Sequence, residues 1–196
     1  MLASITPLGE RGRGSTWGWT VAAFLAGATV AGAAAGALLG AIGDLVLGAG
    51  VDAQTRLVVL AVALAAAALV ELRAPRVPGP RRQVNERWLD EFRGWVYGAG
   101  FGAQLGLGLT TVVSSAATYV AFLAAFLVGG AGRGALVVGV FGLIRGATPL
   151  AAARVRRPDQ LRALHLRLEG LRSTVARGSL VALLGMTAVA MAGGLA

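Results

Sequence analysis

The stretch Gly94–Gly129, GWVYGAGFGAQLGLGLTTVVSSAATYVAFLAAFLVG, runs 36 residues without a formal charge. A water-soluble core rarely demands so long an uncharged run, whereas a membrane-crossing helix needs about 20 apolar residues to span roughly 30 Å. As one continuous helix the stretch would be about 54 Å long, too long for the hydrocarbon even when tilted. Its centre, GLGLTTVVSS, places glycines, hydroxyls and β-branched residues where a simple anchor carries Leu and Ile. The reading that follows is a membrane helix that is interrupted, bent or extended past the interface.

Composition agrees with a membrane class. Hydrophobic residues make up 56% and charged residues 14% of the chain, against about 45–50% and 25% in soluble domains. The net charge of +9 comes from arginines crowded between apolar runs, a distribution that argues against nucleic acid as the partner. There is no cysteine, which removes disulfides, thiolate metal sites and any thiol redox carried by the chain itself. Glu10, Arg11 and Arg13 precede an apolar run much longer than a cleavable signal's core, so the first segment is expected to remain.

Five apolar segments follow in order: Trp17 to about Gly48, Leu57–Val70, the central stretch, Ala135 to about Ala153, and about Ser179–Ala196. The expected fold is all-α and polytopic, with about five transmembrane helices. Six are possible if residues 17–49 make two crossings. The chain reads as a single membrane domain, 1–196, with a faint two-part repeat of 17–72 and 94–196. Gly18-Trp19 and Gly94-Trp95 open the two long segments, and the ladder Gly32, Gly36, Gly40 is echoed by Gly98, Gly102, Gly106. Small residues every fourth position let helix backbones approach closely. Paired glycine-interrupted segments in two halves are also a pointer to a midplane transport site.

Two further segments read as amphipathic helices lying in the interface. One starts at Gln83, with Val84, Trp88, Leu89 and Phe92 on one face and Trp88 and Trp95 as headgroup-level anchors. The other opens at Pro158-Asp159 with the stripe Leu161, Leu164, Leu168, Leu171, Val175. Arginines set the orientation. The N-terminal tail holds two, the 73–93 loop six and the 154–177 loop seven, against Arg56 and Arg133 in the opposite turns. That bias assigns the N-terminus and both loops to the cytoplasmic side of the cell membrane.

Inside the bilayer, Gln104, Thr110, Thr111, Ser114, Ser115 and Thr118 form a polar group, read either as interhelical hydrogen bonding or as a substrate path. Arg145 lies about 13 Å inside the cytoplasmic end of its segment. A charge at that depth costs about 2.5–3.5 kcal/mol on insertion scales and is read as functional or as snorkelling to the headgroups. Pro149 removes the donor that would bond the Arg145 carbonyl and should bend the helix there. No nucleophile–His–acid set, phosphate loop or zinc spacing is present, so neither catalysis nor a metal or cofactor is expected.

The glycine-rich helix with central hydroxyls, the tight turn, and then FGLIRGATPL resemble, over residues 94–153, the CcdA/DsbD-type electron-relay proteins of cytochrome c biogenesis. In that family long helices are broken near Gly/Pro-rich centres that carry redox cysteines. Here Thr110, Thr111, Ser114 or Ser115 stand at those places, so the resemblance implies a related scaffold reused without the relay. Two functions are expected from these readings. One is a small transporter or transport subunit. The other is a non-catalytic scaffold that packs a membrane partner or a second copy, with lipid as the remaining partner.

Overall fold

The computed structural model describes residues 5–48, 50–73, 77, 79, 87–108, 113 and 115–195. Among them the secondary structure is helical throughout: α1 (Pro7–Gly12), α2 (Trp17–Leu47), α3 (Ala53–Arg73), α4 (Trp88–Glu91), α5 (Gly94–Gly106), α6 (Ala117–Val128), α7 (Ala131–Gly146), a 3-10 turn (Thr148–Ala152) and α8 (Pro158–Leu195). Four of these runs are long and apolar enough to cross a membrane: α2, α3, α7 with its 3-10 extension, and α8. The architecture is that of an integral membrane protein.

The central stretch is not one helix. It is α5, 13 residues long and ending at Gly106, and α6, 12 residues long and starting at Ala117; residues 109–112 and 114 between them lie outside the described residues. At 1.5 Å per residue each is about 20 Å or less, short of the hydrocarbon thickness. Gly108 adopts φ +64, a left-handed conformation that glycine reaches without Cβ strain and that turns the chain out of α5. By contrast residues 17–47 form one unbroken helix, so a division of 17–49 into two crossings finds no turn between them.

Two expectations are corrected. The amphipathic segment opening at Pro158 and the last apolar segment are one 38-residue helix, α8. No proline separates them, and one glycine near the join, Gly178, is a mild helix-breaker at roughly 1 kcal/mol, so the helix propagates through. Near Gln83, residues 83–86 lie outside the described residues, and the helix that is described there is the four-residue α4. The Trp88 ring stacks on Phe101 at 6.0 Å and meets Phe92 edge-on at 5.6 Å. The Trp88 ring thus packs on α5, while Trp95 is 58% exposed.

The chain forms two compact units. The first comprises Met1–Gly32, Arg82–Thr111 and Gly139–Arg172; the second comprises Ala33–Arg81, Val112–Val138 and Ser173–Ala196. In the first unit α2 and α5 run parallel. Gly98, Gly102 and Gly106 of α5 press on the carbonyl groups of Thr20, Phe24 and Ala28 of α2, each ladder advancing by four. Gly142 of α7 abuts the same Ala28, and Gly146 reaches Leu25, so α7 runs antiparallel to α2. Ile5, Val21, Phe24, Tyr97 and Phe101 close the core at one end.

The second unit is organised by α3 and α6, which run antiparallel. Ala61, Leu64, Ala67 and Ala68 of α3 pack with Ala116, Val120, Leu183 and Ala190. Both ends of α6 are met by charged side chains from α3. At its start, Glu71 accepts hydrogen bonds from the Ser115 hydroxyl at 2.5 Å, the Ala116 backbone N–H at 3.1 Å and the Ser179 hydroxyl of α8 at 3.0 Å. At its end, Arg56 donates to the Leu127 carbonyl at 3.3 Å, and also to the carbonyls of Val51 and Gly48 at 3.0 and 2.6 Å. A carboxylate at a helix start and a guanidinium at a helix end satisfy orphan backbone groups and oppose the helix dipole. Gly36 and Gly40 of α2 sit directly on Gly134 and Gly130. In the turn before α3, the hydroxyl of Thr55 donates to Asp52 and holds that exposed carboxyl below the usual carboxylate range.

Candidate functional site

The first unit contains the two polar arrangements that matter most. One is a buried carboxylate. Thr6 caps α1 by accepting from the Gly9 N–H at 3.0 Å, with Pro7 in the first helical position. That short helix places Glu10, 0% exposed, against α2 and α5. Glu10 accepts from Arg13 at 2.6 Å, from Thr20 at 2.7 Å and from the Tyr97 hydroxyl. Arg13 also lies over the Tyr97 ring at 5.8 Å. A buried carboxylate with one ion pair and two hydroxyl donors is fully satisfied, so it acts as a latch that ties the N-terminal segment to two helices.

A second tie fastens the same end. The Leu8 N–H donates to the Val155 carbonyl at 3.2 Å. The tail, the segment after the 3-10 turn and the start of α5 therefore gather at one end of this unit. Sequence reading missed Glu10 as a structural centre, taking it only as one of the charges that precede the first apolar run. The signal was the Thr6-Pro7 pair, a cap followed by proline, which marks a helix start.

The other arrangement surrounds Arg145. Ala28 is 0% exposed where α2, α5 and α7 meet. A Cβ on Gly142 would lie 3.7 Å from the Gly106 Cα at the end of α5, and Arg145 follows Gly142 by three residues. Its guanidinium lies 5.5 Å from the centre of the Phe141 ring, and its buried Nη1 has no hydrogen-bond partner among the described residues. Pro149 is buried, and α7 gives way to the 3-10 turn around it. The carbonyl that Pro149 leaves without a helical donor, that of Arg145, accepts from the Thr148 hydroxyl at 2.9 Å.

Of the other residues singled out from the sequence, Gln104 belongs to the first unit and is half-buried. Ser115 and Thr118 belong to the second unit, where Ser115 is engaged by Glu71 and Thr118 is 2% exposed. Thr110, Thr111 and Ser114 lie outside the described residues. Gly36, Gly40, Gly98, Gly102 and Gly106 all lie against backbone of their own chain. Among the described residues no three His, Cys, Asp or Glu side chains come together as a metal site. Compared with protein families, with characterised proteins and with solved structures, the chain matches none.

Proposed function

We propose that this chain is a small membrane transporter, or the membrane subunit of one, that moves an anionic small molecule past Arg145. The observation that supports the reading is the coincidence, within the first unit, of an apolar helix, α5, that stops after 13 residues and a partly buried cation. Non-helical backbone at membrane depth is tolerated where it is buried in protein or lines a water-filled cavity. Broken helices are a recurrent way to build transport sites. An arginine with a hydrogen-bond edge left over supplies charge and donors for an anion.

In this reading the path runs by Gln104, Thr110, Thr111, Arg145 and Pro149. Ser115 leaves it, because its hydroxyl serves Glu71. The orientation proposed is five crossings in the cell membrane, N-terminus and arginine-rich segments cytoplasmic. The gathering of the tail and the Val155 segment at one end supports their sharing a side. A scaffold akin to the CcdA/DsbD type, with hydroxyls in place of thiols, is part of the same proposal.

Proteoliposomes containing the purified chain, screened with small inorganic and organic anions, test it. Arg145→Leu is expected to reduce uptake by at least tenfold while incorporation stays at the wild-type level, and Arg145→Lys to retain part of it. Undiminished uptake by Arg145→Leu, or no anion flux above empty vesicles, would refute the reading.

A further inference from the structure

At the gathered end of the first unit lies an open groove of about 670 Å³ between the start of α2 and the start of α5. Trp19 and Trp95 stand on it, 73% and 58% exposed, at the third residue of α2 and the second of α5. Because the two helices run parallel, both indoles lie at one end, as tryptophans do at the headgroup level of a bilayer. Arg13 lines the groove, but its charge is matched by Glu10 beneath. The other charged lining groups among the described residues are Arg93 and Glu91, both exposed and of opposite sign. The lining is therefore neutral in sum, yet presents a cation and an anion two residues apart, with the Ser15 hydroxyl near the start of α5.

We infer that this groove binds the headgroup of an amine-bearing, net-neutral phospholipid, a phosphoethanolamine diester. Its phosphate meets Arg93, the Ser15 hydroxyl and the positive ends of α2 and α5. Its ammonium meets Glu91 and the indole faces. A choline headgroup keeps the charges but has no N–H to give Glu91. A glycerol headgroup carries a net negative charge that Glu91 opposes. The inference rests on the membrane architecture and not on transport, so a failed flux assay leaves it standing.

The test uses the full chain in mild detergent, mixed with equimolar phosphatidylethanolamine, phosphatidylglycerol and phosphatidylcholine of matched acyl chains. Retained lipid is counted by native mass spectrometry. Phosphatidylethanolamine is expected to be retained about tenfold over the others, the ratio that one charge-assisted hydrogen bond supplies. Glu91→Gln should bring it down to the phosphatidylcholine level, and Arg93→Gln should reduce all three lipids. Both side chains are exposed, so an unchanged melting midpoint shows that each variant is folded. Equal retention of phosphatidylglycerol would overturn the inference, as would an unaltered ethanolamine-to-choline ratio in Glu91→Gln. Displacement of the lipid by equimolar glycerophosphoethanolamine would overturn the assignment to a lipid.

Discussion

Glu10→Ala is expected to lower the stability of the protein in mild detergent by about 1–3 kcal/mol, the cost of leaving buried hydrogen-bonding groups without their partner. The variant removes the Glu10 charge beside Arg13 and leaves the Tyr97 hydroxyl, in a residue 0% exposed, without its Glu10 acceptor, while Thr20 falls back on the Thr16 carbonyl at 3.4 Å. Glu10→Gln keeps an acceptor oxygen and a similar volume but loses the charge, so its loss is smaller. Tyr97→Phe removes one donor of three and should cost about 1 kcal/mol. Thermal unfolding of the three variants is expected in that order of severity. A Glu10→Ala protein that melts with the wild type would show that the tail is not latched.

The second large effect is at Gly102. A Cβ there falls on the Phe24 carbonyl group and 3.0 Å from the Ala28 nitrogen, backbone atoms that cannot rotate aside. Overpacking a core costs about 1–3 kcal/mol when side chains can adjust, and here α2 itself must move. Gly102→Leu is therefore expected to cost more than about 3 kcal/mol and to fall sharply in membrane abundance, with Gly36→Leu behaving alike at Gly134. Gly178→Ala in α8 is the control. Nothing lies within 4 Å of a Cβ there, so the gain in helix propensity, up to about 1 kcal/mol, should show. Full abundance and an unchanged midpoint for Gly102→Leu would contradict the packing. The same geometry bears on the scaffold alternative, since ridges occupied by the chain's own helices are not free for a partner.

Much of the helical order was legible because hydropathy and turn residues are local. The run from Trp17 becomes α2 and Leu57–Val70 lies inside α3, whereas the turn expected over Gly130–Gly134 is confined to Gly129 and Gly130, with φ +63 and +80, and α7 already starts at Ala131. Length against bilayer thickness left Gly94–Gly129 interrupted, bent or extended past the interface, and the stretch holds two separate helices, α5 and α6. The polar centres were not legible, because their partners are distant in the chain. Tyr97 is 87 residues from Glu10, and Ser115 and Ser179 are 44 and 108 residues from Glu71. No periodicity encodes such pairs. Ser115 was read either as an interhelical hydrogen bond or as part of a path, because its hydroxyl was visible in the sequence and its partner, Glu71 of α3, was not.

The central claim is that water reaches membrane depth beside Arg145. The absence of cysteine makes a direct measurement simple, since a single introduced thiol reports alone. Gln104→Cys and Thr111→Cys are labelled in intact membranes with a charged, water-soluble thiol reagent, which needs a hydrated thiolate. Val30→Cys, on a 68% exposed face of α2, is the lipid-facing reference, and Arg162→Cys in α8 is the aqueous one. The account predicts that Gln104→Cys and Thr111→Cys react at rates approaching Arg162→Cys, with protection by a transported anion. Both positions as silent as Val30→Cys would contradict it.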